Sequence, residues 1–268
     1  MQQQQAQLLT TISEALQTLA DACRELAAAQ REPVPPDEFR RLVRDVCTNN
    51  ANIDDIRRYG DIADWDTSRI EDMSDTFRNC PQFNRDISRW NTSRVKNMRG
   101  MFAGASAFDH DLESWDTSRV QTMCHMFNGA TSFNRPLGNW DVGRVTDMSY
   151  MFANASDFNQ PLETWNTSAV VNMRSMFAEA RAFNQPLEAW NVSHVVNMGH
   201  MFEAALTFNQ PLGRWKIFAL QCTAYMFHNA HDFNQSLDMW NLHSIRQKAC
   251  MFLYSRVRDA DGRPIELS

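Results

Sequence analysis

Trp140-Asp-Val-Gly-Arg-Val-Thr-Asp-Met148-Ser-Tyr-Met151-Phe152-Ala-Asn-Ala155-Ser-Asp-Phe158-Asn-Gln-Pro161-Leu162-Glu-Thr164 is one unit of a repeated pattern, and Trp165 begins it again. Every tryptophan of the chain keeps this 25-residue beat: Trp65, Trp90, Trp115, Trp140, Trp165, Trp190, Trp215 and Trp240. Met101-Phe102 recurs on the same beat through Met251-Phe252, and Phe83 recurs through Phe233. All phenylalanines except Phe39 and Phe218 fall on these two columns. Large apolar side chains at a fixed period imply that each unit puts the same residues into the same interior slots. That pattern predicts a solenoid. The tryptophans are therefore expected to fill the interior rather than to form an exposed stacking surface.

With Trp as column 0, columns 5, 8, 11, 12 and 15 are Val145, Met148, Met151, Phe152 and Ala155 in this unit. Their spacing fits one face of a helix of about three turns, and the Ser at column 3 reads as its N-cap. The segment Leu-x-x-Trp-x-[Thr/Val] matches the strand pattern of leucine-rich repeats. It predicts one short parallel strand around columns 22 to 27. Pro136, Pro161, Pro186 and Pro211 then lie at or before the strand start, because proline cannot donate to a ladder. The Asn column (Asn84, Asn134, Asn159, Asn184, Asn209 and Asn234, with Asp109) reads as a structural ladder satisfying loop backbone from inside the turn. The expected fold is an α/β leucine-rich-repeat-like solenoid of seven to eight repeats over 63–255, with an N-terminal helical cap.

Ahead of the repeats, Leu9, Ile12, Leu16, Leu19, Cys23 and Leu26 form an a/d heptad seam within residues 1–30. The helix either packs on its own protein or associates with another chain. Glu32-Pro-Val-Pro-Pro36 is a linker that closes a first segment, 1–36. Residues 37–62 read as the cap, with a helix from an Asp37 N-cap to about Val46 and a second from Ile53 to Arg58 ended by Gly60. The last two units decay, and 256–268 reads as a loose tail.

The repeat Met-Phe-x-x-Ala-x-x-Phe-Asn-Gln-Pro-Leu-x-x-Trp-[Asp/Asn]-[Thr/Val]-Ser-x-Val-x-x-Met resembles the 25-residue variant of the BspA-like leucine-rich repeats. The match covers roughly residues 60–255, and Tyr59-Gly-Asp-Ile-Ala-Asp-Trp65 resembles the lead-in of such arrays. The resemblance implies a right-handed leucine-rich-repeat-like solenoid with a binding role. It brings no catalytic residues.

Composition narrows the function. A net charge of −6 argues against a general nucleic-acid binder. The opening Met1-Gln-Gln-Gln-Gln has neither the basic nor the apolar region of a signal peptide. No run of 18 apolar residues predicts a membrane span. Six scattered cysteines without a C-x-x-C pair read as reduced thiols of an intracellular protein. The sequons at Asn91, Asn154, Asn166 and Asn191 read as repeat grammar rather than glycosylation sites.

No phosphate loop, nucleophile elbow or H-E-x-x-H is present. The histidines sit in different columns, apart from His125 and His200, which share one three turns apart; a zinc site at His200, His228 and His231 is conceivable. Neither an enzyme nor a cofactor is expected. Column 4 is Arg69, Arg94, Arg119 and Arg144 in the first four units, and column 20 carries Arg85, His110 and Arg135. These arginines either balance Asp66, Asp116 and Asp141 or form a basic strip for an acidic partner.

Three functions follow from the sequence. The first is a non-enzymatic scaffold that binds a protein partner. The second is a structural subunit, or an oligomer, held through the helix bearing Leu9, Ile12, Leu16, Leu19 and Leu26. The third is a phosphate- or nucleic-acid-binding module using the Arg column.

Overall fold

The computed structural model describes residues 7, 10–19, 22, 31–48, 50 and 52–257. Residues 10–19 are helical (α1). Two further helices, α2 (Pro36–Cys47) and α3 (Ile53–Tyr59), precede the first unit. Proline opens α2 because its missing N–H would be unpaired in a first turn anyway. Pro35, not Asp37, takes the cap position, and no side chain caps it. The helix buries Phe39, Leu42 and Val43 against the first units, with Phe39 packed edge-on to Trp65 and Trp90. Asn52 caps α3 by accepting from Asp54 N at 2.9 Å. Gly60, at φ +80°, ends it in a conformation that favours glycine.

The predicted strand and helix of each unit do not form. Among the described residues there is no strand or sheet, and α1 to α3 all lie before Trp65. A parallel-strand, leucine-rich-repeat-like solenoid is therefore not what this sequence builds. The cause is local. Column 10 is left-handed in every unit: Asp75, His125, Tyr150, Ser175, His200, Tyr225 and Cys250 have φ of 53° to 60°, and Gly100 joins them. Column 14 is left-handed too, from Asn79 and Gly104 to Asn229 and Tyr254. A right-handed helix cannot pass through a left-handed residue every fourth position.

The backbone instead splits its hydrogen bonds between two directions. Amides at columns 11, 13 and 15 close three-residue turns, as in Met151 N to Met148 O at 3.2 Å and Ala155 N to Phe152 O at 3.1 Å. Amides at columns 8, 10, 12 and 14 donate to the next unit. In the fourth unit these are Met148 N to Asn172 O, Tyr150 N to Arg174 O, Phe152 N to Met176 O and Asn154 N to Ala178 O, at 2.7 to 3.0 Å. Between-unit pairing thus survives without extended backbone. Only column 7 makes parallel bridges, from Asp72↔Asn97 to Cys222↔Gln247. Columns 22 to 25, where the strand was expected, form a turn in which Trp140 N donates to Leu137 O at 3.1 Å.

The interior is what the column pattern requires. The tryptophans are 3–6% exposed, and the Phe, Met, Val and Leu columns are buried almost throughout. Each indole has its polar atom satisfied: Trp140 Nε1 donates to Leu112 O at 2.9 Å, and the other tryptophans from Trp90 onward repeat the bond 28 residues back. Rings stack along the array, with Phe127 and Phe152 centroids 5.6 Å apart, and within a unit, with Phe152 and Phe158 4.0 Å apart. Fully burying a phenylalanine is worth roughly 1.5–3 kcal/mol, so these columns supply most of the cohesion.

The Asn ladder runs between units at the surface, not inside a turn. Asn159 N donates to Asn134 Oδ1 at 3.0 Å, and Asn184 N to Asn159 Oδ1 at 3.0 Å. Gln160 Nε2 adds a bond to Asn134 O at 3.1 Å.

The cysteines correct another expectation. Cys47, the last residue of α2, forms a disulfide with Cys80, their Cα atoms 5.7 Å apart. Cys80 occupies column 15, which is alanine in the next units, so the bond ties the helical region to the first unit. Cys124, Cys222 and Cys250 are free.

Candidate interaction surface

The sequence pattern puts every fixed apolar column inside, so a site must be sought where columns vary. Column 4 is such a place. The Asp or Asn at column 1 accepts from the amide at column 3, as in Ser118 N to Asp116 Oδ1 at 3.0 Å. The amide at column 5 then donates to column 2, as in Val120 N to Thr117 O at 2.9 Å. Columns 2 and 5 are buried by this turn, and column 4 is pushed outward. Arg69, Arg94, Arg119 and Arg144 are all exposed, one per unit on consecutive units. They do not occupy the first turn of a helix, since none forms there.

Arg94 is partnered: its Nη2 lies 3.0 Å from Glu71 Oε1, while Lys96 Nζ lies 2.8 Å from Glu71 Oε2. The Lys96 ammonium and then the Arg94 guanidinium hold the Glu71 carboxyl below its usual range. Arg69, Arg119 and Arg144 have no acidic partner within ion-pair distance among the described residues. The column-1 aspartates do not neutralise them by contact; Asp66, Asp116 and Asp141 spend an oxygen on the turn. Hydrogen bonds from Ser118 lower the Asp116 carboxyl pKa, and Arg119 adds only a weaker pull.

The second basic column is different. Arg85 pairs with Asp61, and Arg135 Nη2 lies 2.6 Å from Asp109 Oδ2. His110 Nε2 lies 3.2 Å from Asn84 O. Arg135 thus pairs across one junction between units, and Arg85 pairs with the segment ahead of the first unit.

In the N-terminal helix, Ile12, Leu16 and Leu19 are 47%, 60% and 62% exposed. The described residues thus leave this apolar seam uncovered. Leu9, Cys23 and Leu26 lie outside the described residues. No helix among the described residues is long and apolar enough to cross a membrane.

Column 10 holds a surface that the sequence did not single out. His125 stacks on Tyr150 with centroids 4.5 Å apart, and His200 on Tyr225 at 5.0 Å. Arg174 Nε donates to Tyr150 OH at 2.9 Å, which lowers the phenol pKa. Burial, more than the nearby Arg99 and Arg78, lowers the His125 pKa. Glu203 bridges two imidazoles, with His200 Nδ1 at 2.7 Å and His228 Nδ1 at 3.2 Å. His231 is exposed. No group of three or more metal-ligating side chains among the described residues is placed to hold an ion. The sequence signal for this surface is a column that varies among His, Tyr, Ser and Cys inside an otherwise fixed repeat.

No curated protein and no solved structure matches the chain. A protein family does, over residues 47–165 and again over 155–261, so its pattern is laid twice along the stacked units. With its tandem 25-residue units and these two matches, the chain belongs to the repeat family described as Mycoplasma protein of unknown function, DUF285.

Proposed function

We propose that the protein is a non-enzymatic protein-interaction scaffold whose partner is acidic and docks on the column-4 arginines. The observation that carries this reading is the exposure of Arg69, Arg119 and Arg144 without acidic partners among the described residues, on units whose fixed apolar columns are committed to the core. Repetition along the stack gives one charge per unit at a fixed spacing, which raises encounter rates and fixes register more than it adds affinity. The resemblance of the repeat to the BspA-like family supports a binding role.

The test is affinity capture followed by mass spectrometry with the parent chain and with Arg94→Glu/Arg119→Glu. The double variant is expected to keep the parent's melting temperature and lose captured partner. Unchanged capture overturns the proposal. If nucleic acid or phosphate competes the partner away with a steep salt dependence, the phosphate-binding reading replaces it.

A second reading has its own observation. Ile12, Leu16 and Leu19 are exposed on one helix, as expected of a seam that another chain covers. Repeating the capture without residues 1–36 separates the two, because only an assembly held through that helix is lost by the truncation.

A further inference from the structure

At every junction the carbonyls of columns 7, 9, 11 and 13 receive amides from the preceding unit; in the second unit they are those of Asn97, Arg99, Met101 and Ala103. The first unit has no predecessor. At its column 9 a side chain substitutes: Arg40 of α2 donates from Nη1 to Ser74 O at 2.6 Å and from Nη2 to Ser74 Oγ at 2.9 Å. The next two acceptors on this edge, the carbonyls of Thr76 and Arg78, receive no amide from the described residues. The Cys80 sulfur lies 3.8 Å from Arg78 O, but in a disulfide it has no proton to give.

Thr76 and Arg78 line a cavity of about 480 Å³ between α2 and the first unit, walled on one side by the Cys47–Cys80 disulfide. That volume is within the ~300–1,000 Å³ of ligand pockets. Three arginines reach it. Arg78 pairs with Asp75 at 3.0 Å and Arg40 with Asp72 at 3.3 Å, whereas Arg44 has no acidic partner among the described residues. The cavity therefore lacks two things: main-chain donors for a pair of carbonyls, and one negative charge for Arg44.

The geometry points to an extended acidic peptide segment as the occupant, its alternate amides donating to Thr76 O and Arg78 O and one carboxylate meeting Arg44. An unpaired backbone edge is a template for main-chain addition, and an arginine–carboxylate contact is among the stronger polar interactions. Free phosphate fits less well. It offers acceptors to Arg44 but would face two carbonyl oxygens and the Asp75 carboxylate. This site is separate from the arginine row, so Arg94→Glu/Arg119→Glu leaves it intact.

The experiment is calorimetric titration of the full chain with a blocked heptapeptide alternating threonine and glutamate. Saturable one-to-one binding is expected. Arg44→Gln, a change on the exposed side of α2, weakens it about tenfold with an unchanged melting temperature. The same peptide N-methylated at alternate residues weakens by a similar factor, because it keeps the carboxylates and loses the donors. Absence of saturable heat, equal affinity of the N-methylated peptide, or no effect of Arg44→Gln overturns the proposal. Inorganic phosphate that binds as tightly as the peptide makes this a simple anion site and also overturns it. A second copy as occupant would appear as concentration-dependent mass growth lost on Arg44→Gln, and would overturn it in the same way.

Discussion

The two ends of the stack face opposite demands. At the N-terminal end the first unit presents carbonyls, and α2 lies over them: Arg40 donates to Ser74 O, Phe39 packs on Trp65 and Trp90, and a disulfide locks the junction. At the C-terminal end the last unit presents amides. Those of Lys248, Cys250, Phe252 and Tyr254, which in any earlier unit would donate forward, have no acceptor among the described residues. Apolar side chains also surface nearby, with Phe218 83% exposed and Met239 78% exposed in the seventh unit. The difference shows that capping this array means supplying donors at one end and acceptors at the other. One kind of cap cannot serve both.

The largest test asks whether the ends communicate at all. Trp140→Ala removes a buried indole and its bond to Leu112 O from the middle of the stack. It is expected to cost ~3–5 kcal/mol and to split one urea transition into two, because units interact only with their neighbours. A single unbroken transition with parental stability would mean that the ends are joined by something other than the core columns.

Next in size is the disulfide. Cys47→Ser/Cys80→Ser is expected to lose ~2–4 kcal/mol, mostly by loosening the N-terminal end across the 33 residues it spans. Hydrogen exchange then makes α2 and the first unit as labile as the last. If the first unit stays protected, Arg40 and the apolar contacts alone hold that end. The smallest effect belongs to Arg40→Met, which removes the donor to Ser74 O and costs ~1–2 kcal/mol. In exchange, the amides of Tyr150 and Phe152 stay protected while those of Cys250 and Tyr254 exchange fast in both proteins. Slow exchange at Cys250 would contradict an open C-terminal edge.

The core was legible because size repeats: large Trp, Phe and Met side chains at one period point to interior slots, and these columns are buried. The backbone was not. The spacing of Val145, Met148, Met151, Phe152 and Ala155 fits a helical face, yet it equally fits a chain of tight turns with the same side chains inward. The deciding residues were in view at column 14, where Asn79, Gly104, Gly129, Asn154 and Asn229 are the types that tolerate the left-handed region. Column 10 hid the same signal, since Tyr150, His200 and Tyr225 do not advertise it. The row of arginines was readable from period alone. Their partners were not, because Glu71 and Lys96 meet only once two units are stacked. Cys47 and Cys80 could not be paired from spacing, as one sits in a helix outside the repeat.

The hydrogen bonds of columns 7 to 14 have an electrical consequence. In a pleated sheet neighbouring peptide dipoles alternate and largely cancel. Here all four between-unit bonds of this strip run the same way at every junction, so their dipoles of ~3.5 D each add along the stack, as they do in a helix. Other amides point back: those at columns 6 and 17, as in Lys96 N to Glu71 O and Ala107 N to Pro81 O, column 7 in three units, as in Asn172 N to Thr146 O, and the column-19 amides of the Asn ladder. This strip of the stack is thus polarised, with unpaired carbonyls at the first unit, where Arg40 and Arg44 stand, and unpaired amides toward Tyr254 among the described residues. Each added unit would add four more aligned bonds to this strip.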